Sequence, residues 1–237
     1  MTSIKLEHYI AAQTTYSRRA ILDLINAKKV RCNGKLVTSI ALEINPSHSH
    51  VIIDGQVLSQ PPTFYYYKYY KPKNMICTLS DPKNRRCLQD VIKTIKIPLF
   101  PVGRLDRQTT GLLLLTNDGQ FSHALTHPSH SIKKTYSVTL NHPLDQLTLS
   151  RLETGFFLED GPVEFQSFSL TDTHQLQLTL LEGRNRIIRR SFEFLGYEVT
   201  HLKRLSIGQI SLTKLKMGEF KVLSQKEINS VLKLNKN

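Results

Sequence analysis

Apolar residues recur along the chain at two spacings, and these divide it into short elements. Leu112 to Leu115 is a continuous apolar run between Gly111 and Thr116, which predicts a segment buried on all sides, strand or helix. Lys133 to Leu140 alternates polar and apolar residues as a half-buried strand does, and Pro162 to Leu170 and Gln175 to Leu181 alternate like a pair of antiparallel strands. Phe64 to Tyr70 is almost wholly aromatic and predicts a strand that ends at Lys71-Pro72. Helical spacing predicts helices over Ile4 to Ala12, behind Ser17 as N-cap (Ala20, Ile21, Leu24, Ile25), and over Cys87 to Ile95, Gln120 to Leu125 and Pro143 to Leu152. From Glu182 to Gly196 the same spacing sets Ile188, Phe192 and Leu195 on one side and Arg186, Arg189, Arg190 and Glu193 on the other. Ser224 with Glu227 predicts a capping box that opens a last helix through Leu232.

Turn residues organise the first part of the chain. Asn33-Gly34 between Val30–Cys32 and Lys35–Val37, and Asp54-Gly55 between Val51–Ile53 and Gln56–Leu58, are hairpin signals. Two helices and a few short strands predict a small α+β module over residues 1–60. The polar, Pro-containing stretch Ser59-Gln60-Pro61-Pro62-Thr63 then separates it from a larger unit over 61–237.

Charge narrows the partners. With 32 Lys+Arg against 19 Asp+Glu the net charge is +13, which points to a polyanion, nucleic acid first. Residues 1–60 hold seven basic and four acidic residues, a net +3, so +10 falls in 61–237 and nucleic-acid contact is expected from both parts. Cys32, Cys77 and Cys87 are too few and too scattered for a disulfide framework or a four-cysteine zinc site, which predicts free thiols in a reducing compartment. No run approaches the ~18 apolar residues of a membrane span, and the N-terminus lacks a basic-then-apolar leader pattern. The expectation is a cytoplasmic protein, monomeric and independent of a membrane.

One stretch concentrates the chemistry. Pro101 to Gly111 places Asp106 between Arg104 and Arg107 on a turn bounded by Gly103 and Gly111, supported by the leucine run and followed by Asn117-Asp118-Gly119 as a closing turn. Flanking cations favour a charged carboxylate, which suits a nucleophile or general base; the plain alternative is a surface Asp that caps the turn and pairs with an Arg. Arg184, Arg186, Arg189 and Arg190 form a second cluster in which Arg stands at every basic position, favouring bidentate contacts to phosphate or carboxylate. His123, His127 and His130 have no nearby Cys and no third carboxylate ligand, so no metal is implied. No P-loop, dinucleotide fingerprint or paired-carboxylate spacing calls for a cofactor.

The stretch of Gly103, Arg104, Leu105, Asp106, Thr109, Gly111, the four leucines, Thr116, Asn117, Asp118 and Gly119 resembles the catalytic signature of RsuA-type pseudouridine synthases, enzymes that modify ribosomal RNA. The resemblance implies Asp106 as the catalytic carboxylate, Tyr136 as the aromatic that packs on the target base, and Arg189 as the partner of Asp106. It implies that Arg104, Arg184, Arg186 and Arg190 hold RNA phosphates, with neighbouring carboxylates as the alternative for the last three. It implies too that Leu202 or Leu205 borders the base pocket. Ile187 and Ser191 stand where that family has glutamine and methionine. Residues 1–60 resemble the S-four-type RNA-binding domain through Ser17-Arg18-Arg19-Ala20, Val30, Asn33-Gly34 and Asp54-Gly55, with Thr14 or Thr15 and Lys28 replacing usual glycines. By that resemblance Arg18, Arg19, Lys28, Lys29, Arg31 and Lys35 contact RNA phosphates. The implied fold is α+β throughout: the small RNA-binding domain followed by a catalytic domain whose mixed, mostly antiparallel sheet is flanked by helices. The implied activity is isomerisation of one uridine of ribosomal RNA to pseudouridine. The competing reading is a non-catalytic RNA-binding or ribosome-assembly protein on the same fold.

Overall fold

The computed structural model describes residues 3–58 and 61–233. Ser59 and Gln60 of the expected linker lie outside them.

Residues 3–58 surround one small core. Helices Leu6–Gln13 and Arg18–Asn26 bury Leu6, Tyr9, Ile10, Ile21 and Ile25 against Val30, Val51 and Ile53. Ser17 caps the second helix, its Oγ accepting from the Ala20 amide at 3.2 Å. Four strands run in the order Lys35–Leu36, Val30–Cys32, Val51–Ile53, Gln56–Leu58. Both hairpins turn through two left-handed residues, Asn33 (φ 49) with Gly34 (φ 78) and Asp54 (φ 48) with Gly55 (φ 82), the backbone that two-residue turns between right-twisted strands require. The helix expected from Ile4 begins instead at Leu6. Ile4 and Lys5 are drawn into a two-residue strand against Ile44 and Glu43, and the Leu6 amide bonds the Leu42 carbonyl at 2.7 Å.

The larger unit is built on a nine-stranded sheet with the main path Ser167–Asp172, Gln175–Leu180, Lys134–Leu140, Val199–Ile207, Thr110–Thr116, Tyr66–Lys71, Phe220–Val222. Ile210–Ser211 pairs with Val199–Ile207, and Phe100–Val102 with Thr110–Thr116. Every pairing is antiparallel except Val199–Ile207 with Thr110–Thr116, so the sheet is mixed and mostly antiparallel. The leucine run is the central strand. Leu113 and Leu115 enter a core with Tyr69, Leu88, Val138, Leu178, Phe192 and Leu202. Leu112 and Leu114 face the opposite core with Phe121, Leu125, Ile207 and Ile210, under helices Gly119–Thr126 and Gln225–Leu232. A strand covered on both faces needs apolar residues at every position, which is why the run is continuous. The last helix opens with the expected capping box, Ser224 and Glu227 each bonding the other's backbone amide.

Two expectations are corrected. Pro162 to Leu170 is not one strand: Gly161–Val163 pairs with Phe156–Leu158, and only Ser167–Asp172 pairs with Gln175–Leu180. The helix expected over 182–196 spans Ile187–Phe194, because Arg186 adopts a left-handed backbone (φ 49) and Glu182 to Asn185 form a loop held by side-chain ion pairs.

Gly111 allows the sheet's parallel step. Its φ is +107, and a Cβ there would lie 2.3 Å from the Arg204 carbonyl oxygen and 2.6 Å from the Arg204 nitrogen. Neither backbone can yield without parting the two central strands. Gly111→Ala is expected to cost about 3 kcal/mol or more by chemical denaturation, at the upper end of overpacking penalties. Gly183→Ala, which meets nothing within 4 Å, is the control and should stay within about 0.5 kcal/mol.

Candidate active site

The loop from Gly103 to Thr109 connects two strands that are antiparallel neighbours, Phe100–Val102 and Thr110–Thr116, so its ends are fixed by the central sheet. The Thr109 amide donates to the Asp106 carbonyl at 3.0 Å, closing a tight turn at the acid. Leu105 is buried, and its amide donates to Cys77 Sγ at 3.4 Å. The Asn74 amide donates to the Arg107 carbonyl at 2.8 Å, and Gln108 Nε2 to Asn74 Oδ1 at 3.0 Å.

Beneath the loop lies Lys71, fully buried at the end of strand Tyr66–Lys71. Its Nζ donates to the carbonyls of Pro72 (2.9 Å), Arg107 (3.4 Å) and Thr109 (2.9 Å). Burial pulls its pKa down to about 8, opposed by Cys77 and Asp106 and assisted by Arg204. A cation gripping the carbonyls of Arg107 and Thr109 fixes the loop's backbone just after Asp106 and ties it to Pro72. The aromatic strand's Lys-Pro ending therefore positions the Asp106 loop, a role that strand propensity alone does not reveal.

Asp106 itself is half-buried, and its carboxylate makes no hydrogen bond or ion pair with any described residue. The plain alternative of an Asp paired with a neighbouring Arg is not realised. Instead the carboxylate faces a cleft of about 890 Å³ whose walls include Tyr136, Lys134, Leu202, Arg204, Arg104, Arg184 and Arg186. Tyr136, on strand Lys134–Leu140, is 9% exposed, with its side chain on the cleft. Leu202 lines the cleft and Leu205 does not, which resolves the choice left by the sequence.

The four arginines of the second cluster divide. Arg184 Nη1 bonds Asp160 Oδ1 at 3.1 Å, its Nη2 bonds Glu182 Oε1 at 2.9 Å, and Nη2 also donates to the Pro162 carbonyl. Arg190 Nη2 bonds Asp160 Oδ2 at 2.7 Å and its Nε donates to the Asn185 carbonyl. These two clamp the loop to Asp160, so of the two contacts open to them, carboxylates take the place of phosphate. Arg186 is exposed on the cleft without an ion pair among the described residues. Arg189 does not pair with Asp106. Its Nη1 donates to the Val199 carbonyl at 2.7 Å, and its Nε is buried without a partner among the described residues. Burial and Arg186 depress its pKa while Asp106 and Glu198 oppose them, so the guanidinium senses Asp106 without bonding it. Ser191, one of the two departures on this helix with Ile187, is fully buried with its Oγ unpartnered among the described residues.

In residues 3–58 the candidate RNA contacts also divide. Arg19, Lys28 and Lys35 are exposed without ion pairs among the described residues, whereas Arg18 reaches the buried Glu7 at 2.9 Å, Lys29 reaches Asp54 at 2.9 Å, and Arg31 donates to the Gly34 carbonyl. Asn117 joins this module to the sheet. Its Nδ2 donates to the carbonyls of Ala12 (3.0 Å) and Thr63 (2.9 Å), and its Oδ1 accepts from the Tyr65 amide (2.8 Å). Asp118 caps the next helix through the amides of Gln120 and Phe121. The expected closing turn is thus a joint and a cap.

An unpaired carboxylate beside a tyrosine, in a cleft rimmed by cations, is the arrangement of an enzyme that works on a nucleotide of a polyanionic strand. The chain belongs to the RNA pseudouridylate synthase family, whose model matches residues 65–194. Ribosomal large subunit pseudouridine synthase B of Bacillus subtilis (strain 168) is 37% identical over 230 residues, covering 94% of this chain and 93% of the relative. Ribosomal small subunit pseudouridine synthase A of Yersinia pestis is 34% identical over 231 residues, covering 96% and 98%. A solved pseudouridylate synthase superposes with a TM-score of 0.68 at 31% identity, covering 97% of this chain and all of that one. These likenesses agree with the RsuA-type signature around Asp106.

The split among the cations predicts different phenotypes. Arg19→Ala and Lys35→Ala should each weaken RNA binding and reduce the salt dependence of log K by about one ion, read by titrations at several salt concentrations. Arg184→Ala should leave that slope unchanged and cost about 1 kcal/mol of stability, through the Asp160 clamp.

Proposed function

We propose that the protein isomerises one uridine of ribosomal RNA to pseudouridine, with Asp106 as the catalytic carboxylate and residues 1–60 as an S-four-type domain that holds the flanking RNA. The observation that carries this is the Asp106 carboxylate: a loop fixed at its backbone by Lys71, Cys77 and Asn74 presents it without a protein partner to a basic, aromatic-walled cleft. The names of the relatives support ribosomal RNA as the substrate, and the net charge of +13 supports a polyanion. A protein that only bound RNA would gain nothing from an unpaired acid facing phosphates, since like charges repel.

The reaction breaks the C1′–N1 bond of the target uridine, turns the base, and joins C5 to C1′. To reach Asp106 the nucleotide must leave its stack, and Tyr136 with Leu202 supplies the face that replaces lost stacking. Arg104 and Arg186, at the cleft without ion pairs of their own, supply phosphate contacts on either side. Asp106 then acts at the sugar, as a nucleophile at C1′ or as the base that takes a sugar proton. No metal or cofactor enters this scheme.

The test is pseudouridine mapping by carbodiimide-dependent reverse-transcription stops on ribosomal RNA from cells with and without the gene. One stop should vanish on deletion and return with the wild-type gene. No change in either ribosomal subunit's RNA would contradict the substrate assignment.

A further inference from the structure

Arg204 is a buried cation that the fold does not satisfy. It is 4% exposed, and its Nε donates to the Leu112 carbonyl at 2.7 Å. Its Nη2 is buried and has no hydrogen-bond partner among the described residues. An unmet donor on a buried guanidinium is costly, and such a donor at a ligand cleft reads as one the ligand completes. Arg204 lines the same cleft as Asp106.

Two registers place this side chain. Arg204 is the direct antiparallel partner of Tyr136, so the two share one face of the sheet, and it lies parallel to Gly111 of the Asp106 signature. Lys71 and Cys77 each sense both Asp106 and Arg204 electrostatically. The neighbouring cations are already engaged: Lys134 Nζ donates to the carbonyls of Ile132 (3.1 Å) and Leu181 (3.3 Å), Lys71 to three carbonyls, and Arg184 to carboxylates. Arg104 and Arg186 are the exposed cations, suited to phosphates at the rim. Arg204 lies beside the Tyr136 ring and Leu202, in a recess whose walls suit a flat base better than a hydrated phosphate.

We infer that Arg204 donates through Nη2 to a carbonyl oxygen of the flipped uracil and thereby serves both selection of the base and the bond-breaking step. This rests on the proposed pseudouridine synthase reading. A guanidinium only donates, so at O4 it bonds the uracil carbonyl and finds no acceptor in the 4-amino group of cytosine, whereas at O2, which cytosine shares, it serves the bond-breaking step alone. When C1′–N1 breaks, its electron pair stays on the base and spreads to O2 and O4, while C1′ bonds to Asp106 or the sugar loses a proton to it. C5 then bonds C1′ as the Asp106–C1′ bond breaks, or as the sugar takes its proton back from Asp106; C5 loses its proton and N1 gains one, leaving the composition unchanged. A fixed cation at a base oxygen is worth more in the charged state than in the ground state, so its loss falls on the rate more than on affinity.

The test uses the full-length chain under single-turnover conditions, on a ribosomal RNA fragment carrying uridine, 2-thiouridine or 4-thiouridine at the target. Arg204→Met should react about a hundredfold more slowly with RNA affinity within about threefold, and Arg204→Lys should recover part of the rate. One of the two thio-substitutions, which exchange a carbonyl oxygen for a poor acceptor, should slow the wild type by about tenfold or more yet leave Arg204→Met nearly indifferent. The inference is overturned if folded Arg204→Met stays within about threefold of wild type, or if both thio penalties are the same in the two proteins. Should Arg204→Met not fold, wild type that converts both thio-substrates as fast as uridine overturns it. Failure of the underlying reading is distinct: wild type would then form no pseudouridine on any of the RNAs.

Discussion

The site depends on one strand that is buried on both faces. Thr110–Thr116 sends alternate leucines into two separate cores, so a slip of one residue would exchange the two sets and is resisted on both sides at once. That locked register fixes the loop that precedes it. It also fixes the parallel contact in which Gly111 lets the Arg204 backbone approach, bringing the strand that carries Leu202 and Arg204 beside the strand that follows Asp106. Lys71 completes the arrangement from below by holding the carbonyls of Arg107 and Thr109. The acid is therefore placed by backbone constraints, and its carboxylate is left free for a substrate.

Charge in this protein does two kinds of work, and only three-dimensional structure separates them. Arg184 and Arg190 spend their donors on Asp160 and Glu182 to shape the loop before helix Ile187–Phe194. Arg104 and Arg186 at the cleft, and Arg19, Lys28 and Lys35 on the small module, remain exposed without ion pairs among the described residues. Under the proposed function, these exposed cations over both parts of the molecule are the surface on which an RNA strand would be held by its backbone while one base enters the cleft. Asn117 sets the relation between the two parts, since one amide group bonds residues from the first helix and the connecting segment and the residue just before strand Tyr66–Lys71.

Much of this was legible from residues that are close in sequence. Ser17, the Asn33-Gly34 and Asp54-Gly55 turns, the Ser224 capping box and the leucine run are local signals, and each formed the element it predicted. The loop that carries Asp106 was legible as a turn because its residues, from Gly103 to Gly111, are contiguous. What could not be read were partnerships between distant residues. Nothing near Arg184 and Arg190 announces Asp160, nothing near Lys71 announces the carbonyls it grips, and the alternation of Pro162 to Leu170 hides the change of strand partner within it. The sequence does not mark Arg204 either, because an arginine in a strand looks like any solvent-facing residue, and its burial and unmet donor exist only in the fold.

The most direct test of the account is tritium release from C5 of uridine-labelled ribosomal RNA by the purified protein and by Asp106→Asn, with RNA affinity measured for both. C5 must lose its hydrogen when it bonds C1′, so release reports the new glycosidic bond. The account predicts release by the wild type and none above background by Asp106→Asn, with affinity for RNA unchanged to within about threefold because the carboxylate serves the chemistry and not the grip. Release by Asp106→Asn at a rate close to wild type would contradict it.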